Sequence, residues 1–319
     1  MIQTVLGPVS PDALGVTLAH EHVFTLTPDS QQQWSDEWDE ESRVAEAVTK
    51  LTELAASGVR TIFDPTVDGL GRNIPRVRRI NEQVPDLNIV VATGVYTYAD
   101  VPGWFSARGP GALPDLPEPM IDLFTRDIEQ GIQGTDVKAA FLKCAIDHHG
   151  LTGGVERIMR ACAKTHLGTG APMMVHTHPG SQTALEVQRV LAEEGVSPDR
   201  VMLAHSGDST DADHLSVLAE AGFLLGMDRF GIDTMLDFEG RVGIVVELCR
   251  RGYAGSMVLS QDAACYIDWV QPDLMAFMPN WNYLHVQRDV VPALLDLGVS
   301  QEQIDQMLIA NPCRFLFVS

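Results

Sequence analysis

The chain has 319 residues, 45% of them hydrophobic and 20% charged, and 22 Lys plus Arg against 43 Asp plus Glu leave a formal net charge of −21. A field of that sign repels a phosphate backbone, which argues against nucleic acid as a partner. No stretch approaches the roughly 18 uninterrupted apolar residues of a membrane span, which argues against insertion in a bilayer.

The opening MIQTVLGPVS has neither a basic n-region nor an apolar h-region, so a cytoplasmic location is expected. Short apolar, β-branched runs then alternate with longer segments of helical period, the pattern of a parallel sheet with helical crossovers. In chain order the expected strands are 16–24 (VTLAHEHVF), 59–66 (VRTIFDPT), 87–96 (LNIVVATGVY) and 137–147 (VKAAFLKCAID). The second half continues with 171–178 (APMMVHTH), 200–206 (RVMLAHS), 222–231 (GFLLGMDRFG) and 256–263 (SMVLSQDA). Helices are expected between them, such as ESRVAEAVTKLTELAASG, GVERIMRACAKTHLG, ALEVQRVLAEEG and DADHLSVLAEAG, each ending in a Gly stop signal. Eight βα units close into a (β/α)8 TIM barrel, and with no repeat or linker in view, one domain over 1–319 is expected. Long excursions follow strand three (99–119) and strand eight (Tyr266 to about Asn282), at the end of the barrel where loops shape active sites. Cys144, Cys162, Cys249, Cys265 and Cys313 are odd in number and lack a CxxC pair, so they read as reduced core thiols.

Strands buried on both faces should be almost continuously apolar, which makes their polar residues informative. Strand one carries His20 and His22, four Lys143, five His176, six His205, seven Asp228 and Arg229, and eight Asp262, all toward the C-terminal ends. Positions i and i+2 of a strand face one side, so the His-x-His pair can grip one cation through neutral imidazoles, although paired core histidines would give the same pattern. His176 follows the apolar run directly and is favoured over His178, which precedes Pro179 and should already be leaving the barrel. Lys143 would be desolvated and its amine shifted toward the neutral form. It either snorkels to the rim, pairs with an acid such as Asp262, or adds carbon dioxide to become a carbamate bridging two metal ions. Asp262 is expected to hold one metal and act as general base. Asp208 either orients catalytic groups or caps the helix that begins near Thr210. His148 and His149 fall in a loop, and no GxSxG or GxGxxG motif supports a serine triad or a dinucleotide site.

In this order, LGVTLAHEHVF, ATGVYTY, LKCA, VHTH, AHSGDSTD, GMDRFG and NPCRFL resemble the phosphotriesterase family of the amidohydrolase superfamily, and more closely its phosphotriesterase-like lactonase branch. The resemblance spans nearly the whole chain. It implies a binuclear centre with His20, His22, carbamylated Lys143, His176, His205 and Asp262 as ligands. It further implies that Tyr96 approaches the metal centre with Tyr98 beside it, that Arg229 lies near the substrate, with Tyr96 and Arg229 orienting it and stabilising developing charge, and that Trp269 lines an acyl pocket. One departure is Gln261, where close relatives often carry His. By this resemblance a hydroxide shared by two cations attacks a lactone carbonyl, with N-acyl homoserine lactones or other γ- and δ-lactones as substrates and phosphotriesters as side substrates. Zinc is the first expectation for the two divalent ions, with cobalt, iron or manganese as alternatives. A homodimer is implied as well. The competing readings are an organophosphate ester or amide hydrolase on the same site, a single-metal deaminase, and a non-catalytic ligand-binding barrel.

Overall fold

The computed structural model describes residues 1–34, 38–113, 115–275 and 277–317. Ten strands occur among them: β1 (Thr17–Leu18), β2 (His22–Thr25), β3 (Thr61–Asp64), β4 (Asn88–Gly94), β5 (Phe141–Ala145), β6 (Met173–His176), β7 (Val201–Ala204), β8 (Leu224–Met227), β9 (Met257–Leu259) and β10 (Ala264–Ile267). Eight form one all-parallel sheet in the order β1-β3-β4-β5-β6-β7-β8-β9, while β10 pairs in parallel with β2. This is the expected (β/α)8 barrel. Its first and last strands depart from expectation, because each is broken in two. The run expected at 16–24 is interrupted over 19–21, and the run expected at 256–263 stops at Leu259 and resumes at Ala264. The two breaks face one another across the seam, where the His22 amide donates to the Ala263 carbonyl at 2.8 Å and the Asp262 amide to the His20 carbonyl at 3.1 Å.

Alternation along the strands sorts the interior into layers. Phe141 and Lys143 share a face of β5, and Met174 and His176 share a face of β6, so each strand offers an apolar residue below and a polar one above. At the lower end Phe63, Phe141 and Phe315 stack with ring centroids 5.9–6.3 Å apart, Phe315 arriving from the C-terminal helix Asn311–Leu316. Burying each ring is worth about 1.5–3 kcal/mol, and the plug leaves no pore.

Helices cover the outside with caps written in the sequence. Asp39 accepts from the Ser42 amide at the start of Glu40–Ala56, Thr152 accepts from the Val155 amide at the start of Gly153–Thr169, and Gly170 ends the latter in the left-handed region (φ 76°). These and the helices Thr183–Glu194 and Ala212–Glu220 lie within two residues of the expected segments. The excursion after β4 holds a short helix, Gly103–Ser106, before the longer helix Pro119–Glu129. The second excursion begins at Asp268 rather than Tyr266, since β10 runs on to Ile267, and it contains the short helix Pro272–Met275. Pro114 and Ala276, within the two excursions, lie outside the described residues. No helix among the described residues is long and apolar enough to cross a membrane. All five cysteines are free, and all but Cys313 are buried.

Candidate functional site

At the C-terminal mouth of the barrel, His20, His22, Lys143, His176, His205 and Asp262 line one cavity of about 170 Å³, together with Tyr96, Tyr98, Arg229 and Trp269. Strands far apart in sequence deliver them because a parallel barrel brings every strand's C-terminal end to one mouth. His178 is outside this lining, and its Nδ1 lies 2.8 Å from the Ser181 hydroxyl. His148 and His149 are also outside it and stack on each other with centroids 4.0 Å apart.

Each imidazole is aimed by a partner behind it. Asp228 is fully buried and serves two of them: its Oδ2 lies 2.8 Å from His20 Nδ1 and its Oδ1 3.0 Å from His205 Nδ1, with the His205 amide donating to Oδ1 at 2.8 Å. Both carboxylate oxygens are thereby occupied, and Asp228 orients the two imidazoles from behind; with His20 and His205 it also forms a group whose ligand atoms lie within 4.8 Å of one another. Thr66 holds His22 Nδ1 at 2.7 Å and donates to Asp64 at 2.5 Å. Asp147 Oδ2 lies 2.5 Å from His176 Nε2, which leaves Nδ1 as the nitrogen on the cavity side, 3.3 Å from the Tyr96 hydroxyl. Burial lowers His20, drives His205 well down and takes His176 down to about 4, all toward the neutral form that binds metals. Asp228 was noted in the sequence only as a polar strand end, and Asp64, Thr66 and Asp147 were missed. A carboxylate at the last residue of a strand (Asp64) or one or two residues past it (Asp228, Asp147) was the signal available.

Asp262 and His205 both hold left-handed backbone (φ 55° and 69°), a conformation that costs a side-chain-bearing residue energy unless its surroundings impose it. At Asp262 the surroundings are explicit. Glu21, pointing away from the cavity between the two histidines, accepts from the Ser260 hydroxyl (2.6 Å), the Gln261 amide (2.8 Å), the Gln261 side-chain amide (3.1 Å) and the Ala263 amide (2.9 Å). One buried carboxylate therefore grips the turn on both sides of Asp262, alongside the two backbone hydrogen bonds that cross the seam there. Burial raises Glu21 well above the ordinary carboxylate range despite these donors. Gln261 is fully buried behind the turn, where its side-chain oxygen accepts from the Val286 amide at 2.8 Å, so it braces the seam and forms no part of the cavity wall.

Asp262 Oδ1 lies 3.3 Å from the Nε2 atoms of both His20 and His22, and these three residues form a cluster whose ligand atoms fall within 4.8 Å of one another. Burial would raise the Asp262 carboxyl, but His20, His22, His205 and Arg229 hold it well below its ordinary value. Lys143 is 1% exposed, its Nζ has no hydrogen-bond partner, and desolvation takes it down to about 8. Neither the snorkelling nor the paired lysine foreseen from sequence is realised. A carboxylate, four imidazoles and an orphaned buried amine facing one cavity fit a metal centre by their donor chemistry. Gly94 makes room beside Lys143: at φ 144°, a Cβ there would come within 1.8 Å of the lysine carbonyl oxygen.

Around this floor, the Tyr96 and Tyr98 hydroxyls are 2.7 Å apart, Arg229 donates from Nε to Asp262 at 3.1 Å and from Nη1 to Asp208 at 3.0 Å, and the Trp269 indole N–H donates to the Thr27 hydroxyl at 3.0 Å. Asp208 also accepts from Arg241 at 2.6 Å. The helix that follows is capped instead by Asp211, whose side chain accepts from the His214 amide, so of the two roles foreseen for Asp208 the cap is not realised.

The sequence profile of the Phosphotriesterase family matches residues 1–316. The chain belongs to the phosphotriesterase family. Within it, the chain is 53% identical over 315 residues to a phosphotriesterase homology protein of Mycobacterium tuberculosis, covering 98% of this chain and 96% of that one. An aryldialkylphosphatase of Saccharolobus solfataricus is 35% identical over 305 residues, covering 95% of each. The solved phosphotriesterase structure from Mycobacterium tuberculosis superposes with a TM-score of 0.97 at 53% identity, over 99% of this chain and 98% of that one. A phosphotriesterase-family barrel is a hydrolase, and the His/Asp cluster at its mouth could hold metal.

Proposed function

We propose that the chain is a metal-dependent lactonase acting on N-acyl homoserine lactones or related γ- and δ-lactones, with phosphotriesters as slower substrates. The observation that carries this reading is the two-sided cavity. Its floor is the His/Lys/Asp group, while Leu70, Ile232, Met235, Ile267 and Trp269 supply apolar wall above it. Such a division suits a small polar ring carrying an apolar chain.

The residues that would hold two divalent cations, zinc first among them, are His20, His22, His176, His205, Asp262 and Lys143 as a carbamate. The carbamate forms when the neutral Nζ bonds the carbon of carbon dioxide and gives up a proton. When bound, the cations supply Lewis-acid polarisation of the carbonyl and a nucleophile at neutral pH. Tyr96 and Arg229 orient the ring and lie where charge develops on its oxygens. Asp262, whose Oδ2 is steadied by Arg229, takes the proton released as water adds and returns it to the departing ring alkoxide. Trp269, 43% exposed and pinned to Thr27, covers the acyl chain.

The 35% identity to an aryldialkylphosphatase supports organophosphate hydrolysis as the second reading. Paired kcat/KM values for a lactone series and a dialkyl aryl phosphotriester, taken on one metal-loaded preparation before and after chelation, decide between them. Lactones should be preferred and chelation should abolish both activities. A preference for the phosphotriester transfers the assignment to the second reading, and acid release from neither substrate overturns both.

A further inference from the structure

Arg241 lies in the helix Phe238–Arg250, is 2% exposed, and forms no part of the cavity lining, yet all three guanidinium nitrogens are engaged. Nη1 donates to Asp208 Oδ1 at 2.6 Å and to the Gly207 carbonyl at 3.2 Å. Nε donates to the Leu236 carbonyl at 3.0 Å and Nη2 to the Ile232 carbonyl at 3.2 Å. The last two contacts staple both ends of the segment 232–236, which carries the cavity-wall residues Ile232 and Met235. The first two hold the turn that bears Asp208, the carboxylate that grips Arg229. One buried cation thus ties together an apolar wall of the cavity and the anchor of Arg229, the guanidinium that lines it.

We propose that Arg241 is a positioning residue that sets substrate selectivity by fixing the 232–236 wall and the Arg229 head group in one register. The inference rests on the reading of this cavity as the substrate site. A fixed planar fork is what the task needs, because its N–H groups point in set directions and reach a carboxylate and three carbonyls at once. An ammonium on a flexible stem can replace the charge opposite Asp208 without reproducing the staple across 232–236. A one-ångström displacement of a substrate-positioning group can cost on the order of 100-fold, so a loosened wall should register in selectivity.

The test compares wild type with Arg241→Lys and Arg241→Met on lactones of increasing chain length and on phosphotriesters of increasing alkyl length, together with amide hydrogen exchange and metal content. Arg241→Lys should raise KM on the order of tenfold for the longest-chain substrates, change kcat less, and flatten the chain-length profile at unchanged metal stoichiometry. Amides 232–237 should exchange faster in both variants, with the rest of the barrel as in wild type. Arg241→Met should additionally lower kcat through the loosened Arg229, and Arg241→Lys should recover that part. Unchanged exchange over 232–237 in Arg241→Lys overturns the proposal, as does an equal fall of kcat on every substrate with the chain-length profile intact. If wild type turns over no lactone, the lactonase reading fails, while exchange and the phosphotriester series still judge Arg241.

Discussion

The two ends of the barrel interior are built from the same strands and differ in almost every physical respect. At the closed end, Phe63, Phe141, Met174, Met202 and Phe315 pack without a polar atom among their side chains. At the open end, two residues further along β5 and β6, Lys143 and His176 face a cavity in which every carboxylate and imidazole is held by a partner while one amine is held by none. The contrast separates labour along each strand, with stability from apolar burial below and chemistry from desolvated polar groups above. The seam between the first and last strands is the exception, because there a single buried carboxylate, Glu21, serves both ends.

That division can be broken by substitution. Phe315→Ala should destabilise the fold by about 3–5 kcal/mol, measured by denaturant unfolding, while leaving kcat/KM per folded molecule nearly intact. A matching loss of kcat/KM would show that the two ends are coupled. Lys143→Met should act in the opposite sense. Activity and metal retention should fall by more than about 100-fold, or about 2.7 kcal/mol, whereas the metal-free protein should gain roughly 1 kcal/mol by losing a buried amine without a partner. Normal metal content in that variant would remove Lys143 from the centre. Glu21→Ala should do both in smaller measure, costing about 1–3 kcal/mol of stability and weakening metal retention about 10- to 100-fold, read by chelator competition. An effect on stability alone would reduce Glu21 to a structural brace.

Much of this site was legible in the sequence because a parallel barrel converts position along a strand into position in space. A polar residue at the C-terminal end of an apolar run has little choice but to face the mouth, which is why His20, His22, Lys143, His176, His205 and Asp262 line one cavity as expected. His176 was separable from His178 on the same ground, since a residue preceding Pro has already left the ladder. The break in strands one and eight was not legible. VTLAHEHVF and SMVLSQDA read as continuous strands, and nothing local signals that Asp262 takes φ 55°.

Composition, period and spacing by themselves determined the barrel, its alternation of strands and helices, and which polar strand-end side chains reach its open end, because these depend on local alternation and on which strands are buried on both faces. Only the tertiary structure decided what stands behind those side chains. Asp228 spanning His20 and His205, Asp147 behind His176, Glu21 clamping the Asp262 turn and Arg241 stapling the 232–236 wall each join residues from different strands or loops. Such hydrogen bonds leave no period in a sequence, since what selects them is the cost of leaving a buried polar group without a partner, and that cost exists only once the barrel has closed.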